Sequence, residues 1–130
     1  MLERLQRRWT RAVSGLEILS YDQRLRRLDL FSVQGRLLRA DLIQVWKIFH
    51  GECSIRPEEL FDVEDSRRTR GHPFKIKVPR TSRDARKRFF AVRVISDWNS
   101  LSSEAVTADS LSKFKGFLHR ELGDRLYEYI

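Results

Sequence analysis

The strongest constraint on this chain is a single apolar stripe. Leu38, Leu42, Val45, Trp46 and Phe49 fall on one side of a 3.6-residue helix across Val33 to His50. Ser32 stands where an N-cap belongs, and Gly51 supplies the left-handed stop that helix ends favour. A helix this long and this one-sided needs neighbours to cover it. The rest of the sequence offers mostly further helices. Leu2, Leu5, Trp9, Val13 and Leu16 recur at steps of three and four, with Arg4, Arg7, Arg8 and Arg11 between them, which predicts an amphipathic helix with a basic face ending near Gly15. Ser20 followed by Gln23 has capping-box spacing for a short helix through Leu25 and Leu28. Pro57 and two glutamates suit the first turn of another. Phe89, Val92, Ile95, Trp98 and Leu101 keep near-helical spacing. Leu111, Phe114, Phe117, Leu118 and Leu122 form the face of a last helix between Ser110 and Gly123. The tail to Ile130 carries no readable pattern.

One segment breaks the helical period. Between Pro73 and Pro79, Phe74, Lys75, Ile76, Lys77 and Val78 alternate apolar and basic, which predicts an extended stretch with its lysines on one side. The expected fold is therefore mostly α, a small domain of about four to five helices with a short extended or β segment near 73–79. The 130 residues read as one domain, with a helical part over 2–60, a basic segment over 67–93 and C-terminal helices over 88–122. At this length about two-thirds of the unfolded surface is buried on folding, enough for a core.

Charge is unevenly spread. Eleven basic residues and one acid, Asp84, lie between Arg67 and Arg93, a local excess of ten positive charges against +8 for the whole chain. Residues 51–66 hold six acids against Arg56 and read as an acidic loop. Unless an anion lies against the basic segment its charges repel one another, and a phosphodiester backbone is an anion of matching length. The candidate nucleic-acid-binding residues are Arg67, Arg68, Arg70, Lys75, Lys77, Arg80, Arg86, Lys87 and Arg88. Arg4, Arg8 and Arg11 offer a second contact line, which a plain amphipathic surface explains equally well. An ordinary solvated face, with Lys75 and Lys77 guarding an edge strand, is the competing reading of the basic segment.

Other chemistry has less to stand on. Asp62, Glu64 and Asp65 are close in sequence but lie in the acidic loop, without the rigid support a metal pair needs. His50, His72 and His119 are widely spaced and read as surface histidines, with no nucleophile in a motif beside them. Cys53 is the only cysteine, so it makes no internal disulfide or zinc set and fits a reducing, intracellular setting. The six glycines are scattered singly, with no phosphate-cradling run. No cofactor and no metal are expected. Trp9, Trp46, Trp98, Phe89, Phe114 and Phe117 sit on apolar stripes and are expected in the core, which leaves Phe74 and Phe90, beside basic residues, as the candidate base stackers. The mixed first 20 residues have no continuous apolar run of the signal-peptide kind, and no stretch is long enough to span a membrane.

Four phrases in order, LERLQRRWTRAV, LSYDQRLRRLDLFSVQGRLLRADLIQVWKIFHG, SRRTRGHPFKIKVPR and RKRFFAVRVISDWNSLSSEAVTADSLSKFKGFL, span residues 2 to about 122. Their order and spacing resemble the C-terminal region of the reverse transcriptase polyprotein of non-long-terminal-repeat (LINE-like) retrotransposons, downstream of the polymerase core. The resemblance implies a fragment of an RNA-directed DNA polymerase that grips template RNA or the RNA–DNA product by phosphate contacts. Upstream reverse transcriptase domains, where present, would be its partners, in a nuclear or cytoplasmic ribonucleoprotein. It also implies that the isolated chain is no enzyme, because the family's Tyr-x-Asp-Asp catalytic sequence is missing and Phe61 to Asp65 does not reproduce it. The rival reading is a non-enzymatic interaction or scaffold module whose basic face docks an acidic partner.

Overall fold

The computed structural model describes residues 2–61, 63, 72–77 and 94–129. The described chain is mostly helical, with seven α-helices: α1 (Leu2–Arg11), α2 (Tyr21–Arg27), α3 (Val33–Phe49), α4 (Pro57–Leu60), α5 (Ile95–Asn99), α6 (Ser103–Val106) and α7 (Leu111–Leu122), followed by a 3-10 turn at Gly123–Tyr127. The helix starts follow local side-chain chemistry. Ser20 and Gln23 form a reciprocal capping box at α2, each side chain holding the other's backbone N–H. The Ser32 hydroxyl accepts from Gly35 N at 2.9 Å to open α3, Ser102 accepts from Ala105 N at α6, and Ser110 accepts from Lys113 N at α7. Gly51, at φ +70°, takes the left-handed conformation that ends α3.

The chain divides into two compact units, one of Met1–Arg39 with Leu122–Ile130 and one of Ala40–Glu121. In the first, the C-terminal tail that lacks a sequence pattern packs with the N-terminal helices. Ser32, fully buried, hydrogen-bonds the carbonyls of Leu126 and Glu128, and its own N–H donates to Leu126 O at 3.0 Å. Tyr129 meets Tyr21 edge-on at 4.8 Å, and Tyr127 meets Phe31 at 5.6 Å. Gly35 is required here: a Cβ at this position would lie 2.0 Å from the Leu126 carbonyl oxygen. α1 is shorter than its periodicity predicts, stopping at Arg11, and turns carry the chain to the buried Leu16.

The second unit is built on aromatic rings. Phe49 stacks on Trp98 at 5.4 Å and on Phe61 at 6.2 Å, while Trp46 stacks on His50 at 4.2 Å and on Phe114 at 5.8 Å. Trp46, Trp98 and Phe114 are all at most 1% exposed. The stripe read from α3 is thus a true core face. Of the basic extended segment, residues 72–77 are described; Val78 lies outside the described residues. Its only backbone pairing among them is an isolated antiparallel bridge between Ile76 and Val63. Side chains from α5 do the rest. Asn99 Oδ1 accepts from Ile76 N at 2.9 Å and Asn99 Nδ2 donates to Ile76 O at 2.8 Å, a two-bond ring that stands in for a neighbouring strand. Trp98 Nε1 donates to Phe74 O at 2.9 Å.

Three sequence expectations are corrected by burial. His72 is not a surface residue, and His50 is half-buried. His72 is 1% exposed, its Nε2 donating to Trp98 O at 3.0 Å and its Nδ1 accepting from Phe74 N at 3.1 Å, and His50 donates to Val106 O at 2.8 Å. Phe74 is no free stacker, because its ring packs against Phe49 at 5.2 Å and His50 at 5.8 Å. Trp9 is not in the core but 72% exposed.

Candidate nucleic-acid interface

Five of the described basic residues gather at one place, the groove beside α1 in the first unit. Arg4, Arg7, Arg8 and Arg11 line it from α1, and Arg24 from α2, around a volume of about 580 Å³ that also touches Tyr21 and Tyr129. The convergence follows from helix geometry. Positions 4, 7, 8 and 11 share one face of a 3.6-residue helix, and α2 brings Ser20, Tyr21 and Arg24 alongside. Among the described residues no carboxylate lines the groove. The acid of α1, Glu3, is engaged, accepting from the Tyr21 hydroxyl and from Gln34 N.

Arg24 is the unusual member. It is 4% exposed, and the described partners of its guanidinium are neutral acceptors: Thr10 Oγ1 at 3.1 Å, Leu19 O at 2.7 Å and Arg7 O at 3.3 Å. Among the described residues no carboxylate lies within ion-pair distance of it. A buried cation held by neutral dipoles keeps its field, and that field points into a groove already rimmed by exposed arginines. Arg7 lies over the rings of Tyr21 and Tyr129, 5.0 Å from each centroid, which fixes one guanidinium on an aromatic base. Burial and the hydrogen bond to Glu3 push the Tyr21 hydroxyl up to about 12, so it stays a neutral donor to that carboxylate and adds no negative charge to the site.

Of the nine residues singled out from the sequence, Lys75 and Lys77 are described. Lys75 is half-buried and Lys77 exposed, both on the segment that Asn99 and Trp98 hold to α5 in the second unit. Arg67, Arg68, Arg70, Arg80, Arg86, Lys87 and Arg88 lie outside the described residues, as do Phe90, Asp62, Glu64 and Asp65. The arginines given second place in the sequence reading, Arg4, Arg8 and Arg11, are the ones brought together. Sequence reasoning passed over Arg24 because an arginine within a short basic helix gives no sign that it will be buried. Among the described residues there is no group of three or more His, Cys, Asp or Glu able to hold a metal ion, and no helix long and apolar enough to cross a membrane. No protein-family model, curated protein or solved structure matches this chain.

Proposed function

We propose that this protein binds nucleic acid through its phosphates, as the C-terminal part of a LINE-like retroelement reverse transcriptase without polymerase catalysis of its own. The observation that carries the reading is the buried Arg24 guanidinium, unpaired with any described carboxylate, at a groove lined by four further arginines. Phosphate oxygens are suited to such a site, since each exposed guanidinium offers a planar fork of donors to them. The excess of ten positive charges over Arg67 to Arg93 supports the same ligand class. RNA, or the RNA–DNA product, is the ligand that the resemblance to the reverse transcriptase region suggests.

The test is the salt dependence of binding to single-stranded RNA, duplex DNA and hybrid. Each phosphate contact contributes a slope of about −0.7 in log affinity against log salt on single strands and about −0.9 on B-form duplex. Replacing Arg4, Arg8 and Arg11 together with glutamine is expected to flatten the single-strand slope by roughly 2, three contacts at that value. An affinity unchanged between 50 and 200 mM salt (the range over which about six to ten contacts would cost a factor of ~10³ or more) overturns the proposal.

A further inference from the structure

The five guanidiniums of the arginine groove are not equivalent. Arg24 is 4% exposed, whereas Arg4, Arg7, Arg8 and Arg11 are exposed, so Arg24 forms the floor and the α1 arginines the rim. The bonds to Thr10, Leu19 and Arg7 use the Arg24 Nε–H and one N–H on each Nη, which leaves a second N–H on each Nη with no described acceptor. A buried donor without a partner costs free energy until something supplies an oxygen. The Arg7 guanidinium, over the rings of Tyr21 and Tyr129, is set in place before any ligand arrives. Three chain segments wall the groove: α1, the stretch from Leu19 to Arg24, and Tyr129 of the tail.

We propose that this groove takes the phosphorylated end of a nucleic-acid strand, a phosphomonoester, in preference to the diesters of the strand's interior. The inference rests on the phosphate-binding reading above and adds to it the part of the strand that is bound. Room is the first argument. A volume of about 580 Å³ lies within the range of about 300–1,000 Å³ that encloses one drug-sized molecule, so the groove accommodates about one nucleotide and not a run of them. A diester brought to the Arg24 floor must lead the chain both in and out past the walls, whereas a terminal phosphate brings chain on one side only. Hydrogen-bonding capacity is the second argument. A monoester presents three free oxygens, against two on a diester, to the spare Nη donors of Arg24 and the fork of Arg7. Charge is the third. From Arg4 to Arg11 the helix advances about 10 Å at 1.5 Å per residue, and one strand carries about three charges over that length at 3.4 Å each. Five arginines with no described carboxylate among them exceed that number. A terminal phosphate carries about −1.5 to −2 at pH 7 and narrows the difference.

The test uses the full chain and short single-stranded RNAs of one sequence, with hydroxyls at both ends, with a 5′-phosphate or with a 3′-phosphate. A hydroxyl-ended strand two nucleotides longer carries the same charge as the phosphorylated ones and controls for charge alone. At one fixed salt concentration, a strand with a phosphorylated end is expected to bind at least about tenfold more tightly than this control, the worth of one hydrogen bond to a charged group. Whichever of the two phosphorylated strands shows the preference identifies the end that is held. Arg24→Lys keeps the charge but loses the planar fork, and is expected to remove the preference with helical circular dichroism unchanged. Should that variant fail to fold, Arg7→Lys on the exposed rim decides, and is expected to shrink the preference severalfold. Equal affinity for phosphorylated strands and control overturns the inference, as does a preference undiminished in the folded variants. Displacement of the phosphorylated strand by inorganic pyrophosphate at an equal concentration would make the ligand a free polyphosphate and likewise overturn it. Salt-dependent binding without end preference removes this inference alone, whereas no binding of any strand removes the phosphate reading with it.

Discussion

Removing the Asn99 side chain tests the account of the extended segment most directly. In Asn99→Ala, the Ile76 N–H and C=O lose partners at 2.9 and 2.8 Å. Ile76 is 1% exposed, so water does not readily replace them. A buried backbone group left unpaired costs about 1–3 kcal/mol, and two such groups, relaxed somewhat by water reaching the half-buried Asn99 site, give about 2–4 kcal/mol. For a unit of about 80 residues each kcal/mol is worth roughly 4–8 °C, so thermal unfolding is expected to drop by on the order of 10 °C. Calorimetry measures the loss, and hydrogen exchange at the Ile76 amide locates it. Asn99→Asp refines the test, because a carboxylate still accepts from the N–H but faces the carbonyl without a donor. It is expected to be at least as destabilised at pH 7 and to recover, relative to wild type at the same pH, once the carboxyl protonates near pH 4. An Asn99→Ala protein that melts within about 1 °C of wild type with Ile76 protection intact would refute the pairing; the ~10 °C expectation leaves that margin wide.

Two further results are expected. Burial, aided by the charge on Lys75, lowers the His72 imidazole below its ordinary 6.5, against the opposing hydrogen bond to Trp98 O. The unfolded chain then binds the proton first, so stability from this residue is complete above pH 6.5 and lost as pH falls below it; melting curves from pH 8 to 5 should show that slope, and His72→Gln should flatten it. Glycine-to-alanine changes in two helices should differ in sign. Gly116 of α7 has open space where a Cβ would go and should gain roughly 0.5–1 kcal/mol, whereas Gly35→Ala, driven into the Leu126 carbonyl, should lose about 1–3 kcal/mol in denaturant unfolding.

Much of the helical framework was legible because its causes are local. The capping box at Ser20 and Gln23, the caps at Ser32 and Ser110, and the stop at Gly51 act within a few residues. The stripe from Leu38 to Phe49 found its core because a wide apolar face on a long helix has few ways to avoid burial. The same logic failed for Trp9. Its stripe is equally periodic, but periodicity says which residues share a face and not which face meets the protein; the hydrogen bonds of Glu3, Gln6 and Thr10 decided that.

The candidate site shows the same division. Basic residues and their density are sequence facts, and the expectation of an anionic ligand rests on them. That Arg24 is buried among neutral acceptors while Arg4, Arg7, Arg8 and Arg11 stay on the rim depends on α2 lying beside α1. That the patternless tail belongs with the N-terminal helices depends on contacts such as Ser32 to Leu126, nearly a hundred residues apart in sequence. By itself the sequence determined most of the helices and several of their caps, because these follow from neighbours along the chain. Tertiary structure alone decided which faces are covered, that burial disfavours a charged His72, and where the arginines gather, because burial and electric field arise from residues the chain separates and folding brings together.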